Sequence, residues 1–193
     1  AENSGVIFIR SDLQTSNHIV GSYTNVIKSS LCTSISNSLG ATIKTVEHFM
    51  AALWACEIDN VVVEVHGEEM PILDGSSRDF IRILTEAETI EQNYTIHTLK
   101  ILAPIDIDEG LSSIAIEPSD EFIVDLAIDF DHPLISAQKV VFDACPQCFI
   151  DYFSNARTFG FVEELEYLNG KGLALGANLT NLIALTKDHM MNE

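Results

Sequence analysis

Glu47 and His48 stand side by side in Ile43-Lys44-Thr45-Val46-Glu47-His48-Phe49-Met50-Ala51-Ala52-Leu53, and that pair of residue types can do chemistry. A carboxylate accepts a proton, an imidazole ligates a metal ion, and one rigid element would present both. The sequence makes that element a helix. Thr45 is the expected N-cap, and Phe49, Met50, Ala52 and Leu53 supply an apolar face behind it. An adjacent Glu-His pair also arises by chance at solvated helix starts, so the surrounding sequence decides what it is for.

Cys145-Pro146-Gln147-Cys148 is the second candidate. A strand (140–142) followed by Cys-Pro-x-Cys at a helix start is how glutaredoxin-like redox sites look, although that fold carries the motif near its beginning. One Cys-x-x-Cys without a second pair is a poor structural zinc site. His189 and Glu193 have the only His-x-x-x-acid spacing, read as coincidence. His132, in Asp131-His132-Pro133, reads as a hydrogen-bonding turn residue; His18, His66 and His97 have no evident partner. Gly170-Lys171-Gly172 is too short for a phosphate loop and reads as a turn.

The elements that must hold these groups alternate along the chain. Strands are expected at 5–10, near 18–20 and 30–34, and at 61–66; helices at 46–56 and 78–88. The polar, acidic stretch 88–95 is the expected boundary between two domains. Beyond it come expected strands at 96–102, 112–117, 121–129 and 139–142, and a helix at 145–153 with Pro146 in its first turn. An extended piece at 157–161, a helix at 162–168 and a strand at 179–185 complete the order. The inventory gives an α+β fold.

Bulk properties exclude several classes. The 193 residues are 47% hydrophobic, enough for a real core. Twenty-nine acids against 10 bases give a net charge of −19, which disfavours phosphate-tracking nucleic-acid binding and anionic membrane surfaces. No apolar run approaches a transmembrane length, and the N-terminus lacks a signal peptide's pattern. Four cysteines do not make a disulfide scaffold in a chain of this size, so the expected setting is cytoplasmic.

Taken in order, Leu31-Cys32-Thr33, Thr45-Val46-Glu47-His48 with Ala51-Ala52-Leu53, Ile58-Asp59-Asn60, Pro71-Ile72-Leu73-Asp74-Gly75-Ser76, Ile128-Asp129-Phe130-Asp131-His132-Pro133 and Ala156-Arg157-Thr158-Phe159-Gly160-Phe161 form a set. The set resembles the UDP-3-O-acyl-N-acetylglucosamine deacetylases, zinc enzymes of bacterial lipid A synthesis, over essentially the whole chain and at that family's spacing. The resemblance implies two similar domains, each layering a β-sheet with helices, with the active site between them. Here these would be residues 1–92, carrying the Glu-His helix, and 93–193, incomplete and bearing an acyl-chain passage at about 160–178.

It further implies hydrolysis of the acetamide of a small UDP-sugar lipid by a monomeric enzyme. His48 would ligate zinc, and Glu47 would take a proton from the metal-bound water, whose pKa zinc lowers to roughly neutral. Thr158 would hold the oxyanion and Asp74 would support the site. Leu31, Cys32 and Phe159 would lie near the sugar and the reactive end; Phe161, Leu165, Leu168, Leu173 and Leu175 would line the acyl passage. Read without the family, those leucines are amphipathic packing.

The sequence also departs from the family. Two further zinc ligands (a histidine and an aspartate one turn apart) and a general-acid histidine have no match, nor do the opening strand and glycine-rich histidine loop. The chain reads as cut at both ends, with zinc weak or absent and this span inactive. A glutaredoxin-like protein using Cys145 and Cys148, or a non-catalytic fragment, are the alternatives.

Overall fold

Alternating burial organises the first half of the computed structural model, which describes residues 2–96 and 98–192. In chain order it contains β1 (Val6–Arg10), β2 (His18–Val20), a 3-10 turn (Tyr23–Asn25), β3 (Val26–Ile27), β4 (Ser34–Ser36), β5 (Thr42–Ile43), α1 (Glu47–Ala55), β6 (Val61–Val65) and α2 (Arg78–Glu86). β1 buries Val6, Phe8 and Arg10 while Ile7 and Ile9 stay partly exposed. It pairs antiparallel with β2 and parallel with β6. β3, β4 and β5 make a second antiparallel sheet.

The core lies between these sheets and the two helices. Phe8, Ile19, Ile43 and Ala52 are fully buried, and the Phe49 ring meets Phe8 at 6.2 Å and Phe80 of α2 at 5.3 Å, both edge-on. Each of the phenylalanine and isoleucine side chains contributes roughly 1.5–3 kcal/mol. This packing fixes α1, and therefore the direction in which its first turn points.

The second half follows as β7 (Ile105–Asp108), β8 (Ser113–Ile116), β9 (Ile123–Phe130), β10 (Ser136–Asp143), α3 (Pro146–Tyr152), β11 (Phe159–Phe161), α4 (Val162–Gly170) and β12 (Ile183–Leu185). β7–β8 and β9–β10 are separate antiparallel hairpins; β11 and β12 pair in parallel. The fold is α+β, as the alternation of elements implied. The halves touch where Trp54 of α1 meets Phe122 at 6.2 Å and Phe149 of α3 at 5.9 Å.

Several local expectations are corrected. Thr45 does not cap α1: Val46 holds the N-cap position without a side-chain bond. Lys44 is bridged to the neighbouring segment (its N–H donates to Glu68 O at 2.8 Å and its C=O accepts from Met70 N at 3.0 Å). That bridge turns Thr45 into the left-handed region at φ 58°, and its hydroxyl donates to Glu69 Oε1 at 2.7 Å. Residues 98–102 form no strand, and His97, the second residue of the strand expected at 96–102, lies outside the described residues. The hairpin strand β7 was not read from the sequence, because Ile105-Asp106-Ile107-Asp108 alternates over only four residues. The strand expected at 30–34 forms at Ser34–Ser36, and that at 179–185 shortens to Ile183–Leu185. Residues 88–95 carry neither helix nor strand.

Candidate functional site

Glu47 is the first residue of α1 and is partly buried. Its carboxylate accepts the Thr33 backbone N–H at Oε2, 3.0 Å away, and Thr33 O accepts from Val46 N at 3.3 Å. Two backbone groups of one residue thus hold both the helix start and its carboxylate. His48, the next residue, is partly buried as well. A catalytic zinc ion takes three protein donors. Among the described residues, no three His, Cys, Asp or Glu side chains converge, so these donors alone do not fit a zinc ion.

Thr158 reaches the first half through its backbone. Its N–H donates to Gly75 O at 2.8 Å, and its own C=O accepts from Ile183 N at 2.9 Å, so the start of β11 is held on both sides. Beside it, Arg157 donates from Nε to Asp74 O at 2.8 Å and from Nη2 to Leu179 O at 3.3 Å. Gly75, at φ 82°, permits the contact: a Cβ there would lie 2.1 Å from Asn181 O and 3.4 Å from Thr158 Cγ2.

The Asp74 carboxylate is occupied locally. Oδ1 accepts from Ser76 N and Oγ at 3.1 and 2.7 Å, and Oδ2 from Arg78 Nη2 at 2.8 Å. Burial pushes its pKa up, but the two Ser76 bonds and the charges of Arg78 and Arg157 outweigh that and leave it below the usual carboxylate value. Its geometry is that of a group holding a loop at the head of α2.

The expected substrate-side residues fall into two groups. Phe159 and Phe161 form an aromatic cluster with Phe130, at 5.5 and 6.0 Å. Phe161 also meets the His132 ring at 5.2 Å. Leu165 lines an apolar cavity of about 190 Å³ with Val162, Leu179, Leu182 and Met191. Leu168 and Leu173 are partly buried outside that lining, and Leu175 is 74% exposed. Leu31 is exposed at φ 66°, while Cys32 is partly buried with Sγ 3.5 Å from Ser34 Oγ. His132 is a turn residue, with Nε2 2.9 Å from Thr186 O and Nδ1 accepting from Leu134 N at 3.3 Å. An open depression of about 690 Å³ beside it is lined by Asp129, Asp131 and His132, and by none of Glu47, His48 and Thr158.

Sequence reasoning missed two positioning residues. Arg157 was quoted only as part of a motif, although an arginine directly before Thr158 was the available signal. Thr33 acts through backbone atoms 14 residues from Glu47, which no residue type announces.

A family model described as UDP-3-O-acyl N-acetylglycosamine deacetylase matches residues 1–193. The chain belongs to this deacetylase family. It is 41% identical over 192 residues to the UDP-3-O-acyl-N-acetylglucosamine deacetylase of Wolinella succinogenes, covering 100% of this chain and 63% of that protein. The deacetylase of Histophilus somni is 40% identical, over 99% of this chain and 63% of its own length, and that of Pseudoalteromonas atlantica 41%, over 98% and 63%. The chain thus spans a little under two thirds of the length of the curated relatives it matches. The glutaredoxin-like surroundings are not what the chain builds around Cys145: β10 pairs antiparallel with β9 in a two-stranded sheet. No helix among the described residues is long and apolar enough to cross a membrane.

Proposed function

We propose that this chain is the larger part of a cytoplasmic, monomeric, zinc-dependent deacetylase that removes acetate from UDP-3-O-acyl-N-acetylglucosamine on the route to lipid A. The family match over every residue of the chain carries this reading. In it, residues 1–92 and 93–193 are two domains and the reaction takes place between them. Glu47, already oriented by the Thr33 N–H, takes a proton from the attacking water; a positioned base of this kind is worth about 10²–10⁴-fold. The Thr158 hydroxyl donates to the oxyanion that develops on the acetamide. Asp74 supports Thr158 by keeping the Gly75 carbonyl under its N–H. His48 is one ligand of a zinc site that the donors among the described residues do not complete.

The chain of contacts supports bringing Thr158 and His48 to one cleft. Thr158 is bonded to Gly75, which leads into α2, and α2 packs on α1 through Phe80 and Phe49. Leu31, Cys32 and Phe159 border the sugar in this reading. Phe161, Leu165, Leu168, Leu173 and Leu175 receive the acyl chain, with the cavity at Leu165 as its innermost part.

The test is acetate release from the UDP-linked, acylated substrate by the protein at the length of its relatives. Glu47→Gln and Thr158→Val each lower kcat at least 100-fold with the fold intact. Wild-type turnover in either variant refutes the assignment. The 193-residue span alone is expected to release no acetate; turnover by it would overturn the role given to the missing donors.

A further inference from the structure

Cys145 and Cys148 are joined by a disulfide, with Cα atoms 5.1 Å apart. The bond closes the first turn of α3: Cys145 is its N-cap, Pro146 its first residue, and Cys145 Sγ accepts the Cys148 N–H at 3.0 Å. Both residues are partly exposed, so a small thiol can reach the sulfurs. A bridge between residues three apart removes little freedom from the unfolded chain, which makes it a poor staple. The deacetylation chemistry gives these sulfurs no task.

The bridge is mechanically connected to the first half. Phe149 follows Cys148 directly and packs, with Ile150, against the main core. Its ring stands edge-on to Trp54 of α1 at 5.9 Å. Trp54 is the only tryptophan, is 37% exposed, and belongs to the helix that begins with Glu47 and His48. The other two cysteines, Cys32 and Cys56, are free.

We propose that Cys145 and Cys148 form a reversible thiol–disulfide site for low-molecular-weight thiols of the glutathione class, and that its state alters the docking of α3 on Trp54. In reduction, a thiolate RS⁻ attacks one Sγ, forming a mixed disulfide and expelling the other cysteine as a thiolate that takes up a proton. A second RS⁻ attacks the outer sulfur of the mixed disulfide, releasing RSSR and the remaining cysteine thiolate, which is protonated in turn. Two RSH are oxidised and the protein gains two thiols. Reduction frees the first turn of α3, and with it the position of Phe149.

The experiment uses this chain in buffers of graded reduced-to-oxidised glutathione ratio. Samples are quenched with an alkylating agent, counted by intact mass and mapped by peptide, and tryptophan emission is read in parallel. The proposal expects four alkylated cysteines at the reducing limit and two at the oxidising limit, with Cys145 and Cys148 protected. It expects the Trp54 emission change to share the midpoint of the thiol count and to vanish in Cys145→Ala/Cys148→Ala. Protection at Cys32 or Cys56 instead, no protected pair, or emission flat across the thiol transition would overturn it. The wild-type titration decides the matter even if the double variant fails to fold.

Discussion

Replacing Gly75 by alanine tests whether Thr158 is placed by backbone contact. Two terms act against the new methyl group. Gly75 sits at φ 82°, where a Cβ costs about 1–2 kcal/mol. The Cβ would also lie 2.1 Å from Asn181 O and 2.9 Å from Asn181 C, so one backbone must move. Asn181 is poorly free to retreat: it is 8% exposed, its N–H donates to Asn178 O at 3.1 Å and its Nδ2 to Gly176 O at 3.0 Å. Overpacking of this kind costs about 1–3 kcal/mol. Gly75→Ala should therefore destabilise by roughly 2–5 kcal/mol, a fall in Tm of roughly 4–20 °C for a chain of this size. Gly40→Ala is the internal control. Gly40 has φ 89° with nothing within 4 Å of its would-be Cβ, so only the backbone term of about 1–2 kcal/mol applies. Thermal and urea unfolding of both variants gives the comparison. If Gly75→Ala costs no more than Gly40→Ala, the close approach to Asn181 is absent in solution and the placement of Thr158 argued from it fails.

Phe49→Ala should cost about 3–5 kcal/mol, because Phe49 is 7% exposed and joins Phe8 to Phe80; denaturant midpoints measure it, and a loss under 1 kcal/mol would contradict the packing. Acid stability should depend on Asp12. Bonds from Arg10 Nε and Nη2 at 2.8 and 2.6 Å, with the Gly67 N–H, hold its carboxyl well below the usual value of about 4. A carboxyl depressed in the folded state stabilises above its unfolded pKa and loses that contribution as pH falls below it. Asp12→Asn should thus flatten the decline of Tm below about pH 4, and an unchanged acid limb would refute this. Arg157→Lys should cost about 1–3 kcal/mol, since an ammonium cannot span Asp74 O and Leu179 O together; an unchanged unfolding midpoint would show the fork to be idle.

The sequence was most legible where the periodic signal was long and its burial one-sided. β1, β6, α1 and α2 lie within two residues of expectation because their apolar positions recur at strand or helix spacing and all reach one core. Legibility failed where nonlocal hydrogen bonds decide the outcome. Thr45 has the right type for an N-cap, yet the bridge through Lys44 aims its hydroxyl at Glu69 instead. The same limit applied to the candidate site. Glu47, His48 and Thr158 were visible as residue types within motifs, whereas the groups holding Glu47 and Thr158 are backbone atoms of Thr33 and Gly75, whose roles no side chain encodes. The Cys145–Cys148 motif was visible too, but its link to Trp54 depends on the docking of Phe149.

The candidate groups consequently owe their positions to two different physical sources. Glu47 and His48 ride on α1, which is fixed by buried aromatic and aliphatic contact among Phe8, Phe49, Leu53 and Phe80. Thr158 rides on β11, which is fixed by two backbone hydrogen bonds, an arginine fork and the clearance at a glycine. Core packing is non-directional, so a cavity there weakens the whole domain before it turns α1. Hydrogen bonds are directional, so a small shift of the Gly75 carbonyl would move Thr158 at little expense to overall stability. On the proposed reading, in the protein at the length of its relatives, damage to the core and damage to the loop should therefore separate: the first lowers Tm with activity retained in the folded fraction, the second lowers kcat in protein that is still folded. Gly75→Ala combines both effects because its clash lies at the junction, whereas Arg157→Lys removes directional bonds without a clash and is expected to cost less stability than Phe49→Ala.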